Sequence, residues 1–338
     1  MKHYTLILGF LFFAFLSHAT VRNVNNASPS PGQYSTIASA IAASLPGDTL
    51  YLAGTGLDYG TVNLDKQLTI IGPGWKVNGA IYGGNAQVGT INMTNIAAAG
   101  SRFVGFRFFQ LNSSTASANV FTGLIVQRCI IDDCLYLGND DWSGTLVEGN
   151  LFTSSGPNFF APVNSANVTS STVRNNIFNG ILYYATSNLI EQNIFLATAN
   201  ANVAIVTQGT LNTFRNNICI GRNCMSVDNT ATVTANMSYQ CTTPNFNGTG
   251  NYPGIDPEFS SYTPGLYNWS YDYHLKASSP AVGAGFGGLD LGVYAGDGIY
   301  RKDGEPNIPI VSTFTIADGA VVPANANITI NVTGTVHE

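Results

Sequence analysis

The densest group of chemically capable side chains in this chain is I-D-D-C-L-Y-L-G-N-D-D-W-S-G at 131–144. Asp132 and Asp133 open it, Asp140 and Asp141 follow on the next loop, and Trp142 stands beside them. Two chemistries suit that set. Several carboxylates with the Asn139 carbonyl would supply the hard oxygen ligands of a Ca2+ ion, which takes about six to eight of them. Alternatively, two aspartates would flank a glycosidic bond as acid and as nucleophile or base, with Trp142 stacked on a sugar ring. A solvated acidic turn has the same composition. Tyr183, Tyr184 and the pair Phe159-Phe160 offer further aromatic faces for a glycan groove, although a solenoid core also consumes aromatics. Beyond the leader, histidine is confined to His274 and His337, and His274 reads as structural.

The elements that must position these groups are written as a repeat. L-V-E-G-N-L-F (146–152), T-V-R-N-N-I-F (172–178), L-I-E-Q-N-I-F (189–195), T-F-R-N-N-I-C (213–219) and the degraded T-V-T-A-N-M-S (232–238) are copies of one phrase, with L-I-V-Q-R-C-I-I (124–131) as an earlier member. From Cys129 the key positions are Asn150, Asn176, Asn193, Asn217 and Asn236, separated by 21, 26, 17, 24 and 19 residues. A unit of roughly 20 to 50 residues signals a solenoid, because one unit alone cannot bury its apolar face. Alternation of Val147, Val173, Ile190 and Phe214 with Glu148, Arg174, Glu191 and Arg215 has the period of two that marks a strand. Asparagine tolerates the left-handed conformation of a sharp corner and bonds nearby backbone. Stacked coils about 4.8 Å apart would therefore line the five asparagines up as a side-chain ladder. The same stacking would place Glu148, Arg174, Glu191 and Arg215 in a column of alternating sign whose neighbours pair.

Outside the repeat, Met1–Ala19 has Lys2, an apolar run over Leu6–Leu16 and small residues before a cleavage point after Ala19, the form of a secretory signal. Thr20–Gln33 reads as a polar, mobile lead, and Tyr34–Ser44 as a short capping helix with Ile37 and Ile41 four apart. The β-helix then runs to residue 296, counting the helix and a C-terminal cap that includes H-L-K-A-S-S-P-A-V-G-A-G at 274–285. Residues 297–338 form a linker and two strands, at 310–316 and 328–336, too few for an independent domain. No other stretch is long and apolar enough for a membrane span. Charged residues make up 9% and net charge is −6. That excludes the basic stripe of a nucleic-acid binder and suits neutral glycans better than polyanions. The five cysteines include two C-x4-C pairs, Cys129/Cys134 and Cys219/Cys224. An exported chain permits a local disulfide in each, buried thiols are the other reading, and the odd count leaves at least one thiol unpaired. Zinc is disfavoured because no histidine lies near.

The combination of Y-S-T-I-A-S-A-I-A-A-S-L-P-G-D-T-L-Y-L, K-Q-L-T-I-I-G-P-G, the N-N-I-F coils and H-L-K-A-S-S-P-A-V-G-A-G before D-L-G resembles the exported, pectate-lyase-like parallel β-helix proteins of bacteria over about residues 34–296. The resemblance implies an all-β, right-handed parallel β-helix of roughly nine or more coils. It also implies a choice among polysaccharide lyases, glycoside hydrolases, epimerases and surface proteins without activity, since fold does not settle function. Lyases of this kind need an Arg or Lys base and a cation on the uronate carboxylate. Only Arg174 and Arg215 fall in the clear coils, and both stand in the self-neutralising column. The G-H-G, R-x-K and D-P-H-D signatures of polygalacturonases and alginate epimerases are absent. The expectation is thus a secreted or cell-surface monomer without catalysis that binds a polysaccharide or surface glycan. A uronate lyase and a glycosidase using the 132–141 carboxylates are the alternatives. No cofactor is required, with Ca2+ the one candidate.

Overall fold

Each copy of the phrase stacks on the next. Val126, Val147, Val173, Ile190, Phe214 and Val233 are successive parallel partners, and all six are buried. The computed structural model describes residues 19–75, 84–113, 115, 119–155, 157–159, 168–183, 185–201, 205–206, 210–222, 225–226, 230–241, 248–298, 300–308, 310–316 and 330–335. The chain is a parallel β-solenoid. Its principal wall, sheet A, has ten strands in sequence order, from Val21–Val24 to Thr232–Thr234. Sheet B has fifteen, because several coils contribute two short strands to it, and sheet C, with four, closes the third side.

Seven corners between sheets A and B carry a positive φ, at Gly105, Arg128, Gly149, Asn175, Gln192, Asn216 and Ala235, and they bound about 6 regular turns. That is fewer than nine, because the first coils are long and irregular. The left-handed residue is the one before each key asparagine, not the asparagine itself. The key asparagine serves instead as a spacer between coils.

Inside, sheet B contributes a ring stack. Phe152 and Phe178 lie 4.5 Å apart with planes at 16°, and Phe178 and Phe195 lie 4.9 Å apart at 8°. The helix Ile37–Ala43 buries Ile37, Ala40 and Ile41 over the first coils, its first turn capped by Thr36. Lys66 Nζ donates to the Ile41 and Ser44 carbonyls at the other end, where a cation satisfies orphan acceptors.

Two expectations change at the ends. Val21–Val24, read above as a mobile lead, is the first strand of sheet A and pairs with Thr49–Leu52. Its anchor is buried Asp48, which accepts from Thr20 N, Leu45 N and Arg22 Nε. Burial opposes ionisation of Asp48, and these bonds outweigh it, so its pKa is lowered. The segment 252–308 does not simply close the far end. It runs back along the outside of the solenoid as a strap. Gly292 N donates to Asn216 O, Asn175 Nδ2 to Val293 O and Ala295 O, Arg128 Nη1 to Glu305 O, and Trp75 N to Asp303 O. Beneath it the outward residues of sheet B, Ile130, Leu151, Ile177, Ile194, Ile218 and Met237, form a second core with Trp75, Phe259, Tyr273, Leu291, Val293 and Tyr300. At Gly292 (φ +83) an added Cβ would meet Ile218 Cδ1 at 3.0 Å, so only glycine lets the strap lie this close. Ile310–Ile316 and Ile330–Thr335 pair antiparallel in a sheet of their own. The leader lies outside the described residues except for Ala19.

Candidate functional site

The acidic stretch does not assemble as one centre. Asp132 is held on sheet B by Arg107, whose Nε lies at 2.6 Å and Nη2 at 3.0 Å, and it accepts from Thr153 Oγ1. Asp140 is fully buried and accepts from Thr115 N, Thr115 Oγ1 and Asn119 N, so it fastens the loop before sheet C. Asp133 lies within 3.6 Å of the Cys134 sulfur, and Asp141 begins the strand Asp141–Ser143. Among the described residues no group of three or more His, Cys, Asp or Glu is disposed to hold a metal. Trp142 corrects the sugar-stacking expectation most sharply. Its ring is 0% exposed and its Nε1 donates to Ser113 Oγ at 2.8 Å, because position 142 points inward between Phe121 and Val168. The Tyr183 side chain and all of Tyr184 lie outside the described residues.

The asparagines are a continuous ladder. Each Oδ1 accepts from the backbone N and the Nδ2 of the asparagine one coil earlier, at 2.9–3.0 Å for Asn176, Asn193, Asn217 and Asn236. The second Nδ2 proton goes to a sheet A carbonyl: Val126, Val147, Val173, Ile190 or Phe214. An amide has two donors and one oxygen with two lone pairs, and here all four are used. Cys129 donates its N–H to Asn150 Oδ1, and Asn251 receives from Asn236 at the other end. A second ladder stands at the opposite edge of sheet A, where Leu68, Thr145, Ser171 and Asn188 donate backbone N–H to Ser101, Ser171, Asn188 and Asn212. The residue before each of the strands Arg102–Val104, Thr172–Arg174, Leu189–Glu191 and Thr213–Arg215 is Ser or Asn, a regularity visible once the copies are aligned.

The charge column resolves into pairs. Arg174 Nε meets Glu148 Oε2 at 2.6 Å and Arg215 Nε meets Glu191 Oε2 at 2.7 Å. The strap tightens both. Asp297 bonds Arg174 at 3.2 Å, Phe286 lies under the Arg215 guanidinium at 4.9 Å, and Glu148 is 7% exposed. Arg174 and Arg215 are thus tied in place on the flank of sheet A.

Of the cysteines, Cys129 and Cys134 carry separate thiols, so the first C-x4-C pair is not a disulfide. Burial pushes both thiols up to about 12, assisted at Cys134 by the Asp133 charge. Cys219 is disulfide-bonded, and its partner lies outside the described residues. His274 stacks on Tyr294 at 3.6 Å, with its Nδ1 2.6 Å from Asp272, at the edge of a ≈ 360 Å3 hollow in the strap.

What remains is the outer face of sheet A. Its column farther from the strap reads Thr49, Thr69, Arg102, Ile125, Leu146, Thr172, Leu189, Thr213 and Thr232, in register, and all are half-buried or exposed. Ten strands at about 4.8 Å make a strip about 43 Å long. The strap walls one side. At the N-terminal end of the strip a cavity of ≈ 250 Å3 opens between strap and sheet, lined by Thr69, Ile71, Arg102, Val104, Gln127, Arg128, Pro306, Asn307 and Ile308. Burial lowers the pKa of Arg128, and Arg301 adds to the effect. Sequence reading missed Arg102 and Arg128. Their coils lack the key asparagine, and only strand register shows Arg102 sharing a column with Leu146 and Leu189.

The fold thus defines the class, a parallel β-solenoid with an external strap. No family model matches the chain and no curated protein matches its sequence. No helix among the described residues is long and apolar enough to cross a membrane.

Proposed function

We propose that this is a secreted or cell-surface β-helix protein that binds a polysaccharide along the outer face of sheet A without cleaving it. One observation carries the reading: the strap covers the outward column of sheet B from Ile130 to Met237, while sheet A presents an open strip, mostly of hydroxyl and aliphatic side chains, over ten strands. A long, flat, sparsely charged strip matches an extended polymer better than a small molecule, which takes a concave pocket. The leader motif and the resemblance to pectate-lyase-like proteins support export and a glycan ligand. The carboxylates that would serve a glycosidase are dispersed, Asp132 to Arg107 and Asp140 to Thr115 and Asn119. A panel of neutral and acidic polysaccharides in affinity electrophoresis tests the reading. At least one polymer is expected to retard the protein, and Leu189→Asp, in the middle of the strip, is expected to weaken that retardation at least fivefold. No retardation by any polymer would end the proposal.

One observation favours the lyase alternative. Arg128, rather than Arg174 or Arg215, is a half-buried guanidinium with a lowered pKa that lines a cavity, the position an arginine base would take. Growth of ultraviolet absorbance on a uronate polymer, lost in Arg128→Lys, would replace the non-catalytic reading with that one.

A further inference from the structure

The cavity at the N-terminal end of the strip differs in kind from the strip itself. The chain carries 13 Lys and Arg against 19 Asp and Glu, yet two arginines and no carboxylate line this hollow. The carboxylates that act on Arg128, those of Glu148 and Asp303, lie outside the lining. Glu148 is also already engaged by Arg174 and Gln127. Arg128 Nη1 is fixed by Glu305 O at 3.1 Å and Asn307 Oδ1 at 2.8 Å, which uses one end of its fork. Arg102 donates one long bond, at 3.4 Å, to Gln127 Oε1.

We infer that this hollow between sheet A and the strap is an oxyanion-binding site, and that its ligand is a tetrahedral group, a sulfate or phosphate ester borne on a sugar. The donors come from three levels of the solenoid: Thr69, Arg102 on the next strand, and Arg128 at the corner that ends the one after, whereas the Gln127 amide is directed to Glu148. Levels are about 4.8 Å apart, so the donors approach from different planes. A planar carboxylate is satisfied by a single arginine fork. An anion with three or more oxygens in different directions makes use of all these levels. Ile71, Val104 and Pro306 supply the apolar walls against which a ring would rest. The strap contributes Asn307 and positions Arg128, so the site exists only where the strap is docked. This inference rests on the reading of sheet A as the glycan-facing side, and it makes one end of that side selective for charge.

Isothermal titration of the full chain with dextran, dextran sulfate and polygalacturonate, at about 0.15 M ionic strength, tests it. Dextran sulfate is expected to bind at least tenfold tighter than either other polymer, and inorganic sulfate to displace it at constant ionic strength. Arg102→Ala, at an exposed position on the sheet surface, should remove the preference. Lys276→Ala, an exposed cation on the strap away from this cavity, should leave it intact. Equal affinity for dextran and dextran sulfate, a preference for polygalacturonate, failure of inorganic sulfate to compete, or equal losses in the two variants would each overturn the oxyanion site. If the sulfate preference persists and depends on Arg102 while Leu189→Asp changes no polymer's affinity, the strip reading fails alone.

Discussion

Sheets A and B are built by the same chain in the same coils, yet their outer faces have opposite fates. In sheet B the outward column from Ile130 through Leu151, Ile177, Ile194 and Ile218 to Met237 is 0–3% exposed beneath the strap, although Phe109, on an earlier strand of the same sheet, is 50% exposed. Outward positions of sheet A are mostly threonine and aliphatic residues in one column, half-buried or exposed throughout, and in the other include the paired charges, of which Glu148 is buried beside the strap. One face carries a second core and the other is largely open to solvent. The difference lies in the side chains alone, since both sheets are parallel ladders with similar spacing. A β-solenoid is therefore free to assign each wall a role through its outward residues while its inward residues keep the coils stacked.

The sharpest way to break this contrast is to place the same charge on each face. Ile194→Asp would bury a carboxylate among Ile177, Ile218 and Leu291 with no cation among those neighbours, a loss of several kcal/mol. Leu189→Asp, five residues earlier on the strip, should cost about 1 kcal/mol or less, as surface substitutions do. Urea unfolding followed by circular dichroism measures both. Similar losses would mean that the strap is not a true core.

The two faces were unequally legible in the sequence. Sheet A showed itself through its period of two, with a charge at one outward position in each of four copies. The asparagine ladder was equally visible, since only one residue type recurs there. Sheet B left a clue in N-I-F, because two consecutive apolar residues cannot both point inward along a strand. Strands buried on both faces read as continuous apolar runs, so Ile177-Phe178 and Ile194-Phe195 announced a covering layer. The layer itself, 252–308, has no period, and its place depends on long-range contacts such as Asn175 with Val293 and Ala295. Trp142 was misread for a related reason: the acidic residues around it suggested a surface turn, whereas the register with Phe121 and Val168 turns it inward.

A smaller effect separates the two edges of sheet A. Asn193→Ala removes an amide that donates to Val173 O and Asn217 Oδ1 and accepts twice from Asn176, and it strands buried partners. At about 1 kcal/mol or more for each unsatisfied group, the loss should be about 3 kcal/mol. Asn188→Ala disrupts a looser set, in which the bond to Asn212 Oδ1 is 3.4 Å long. It should cost about 2 kcal/mol by the same reckoning. The order of the two denaturation midpoints is the test. If Asn188 proves the more costly, the corner beneath the strap is not the main spine of the stack.

The smallest expected effect lies at the seam where the strap meets the charge column. Asp297 pairs with Arg174 at 3.2 Å, but its side chain is 89% exposed, while Glu148 on the other side of the same guanidinium is 9% exposed. Water and salt screen the outer pair, so Asp297→Ala should lower stability by less than about 0.5 kcal/mol. Removing Glu148 would leave Arg174 half-covered and without its inner partner, beside a Gln127 amide that also loses its acceptor. Glu148→Ala should therefore cost several times more. Glycine at 298 makes the same point, since an added Cβ there would collide with the Glu148 carboxylate: the strap is shaped around the inner pair, and the outer one only decorates it. Raising the salt concentration should erase the Asp297→Ala effect and leave most of the Glu148→Ala loss. Equal losses at both positions would show instead that the strap is held electrostatically, and that the apolar face of sheet B is not what keeps it in place.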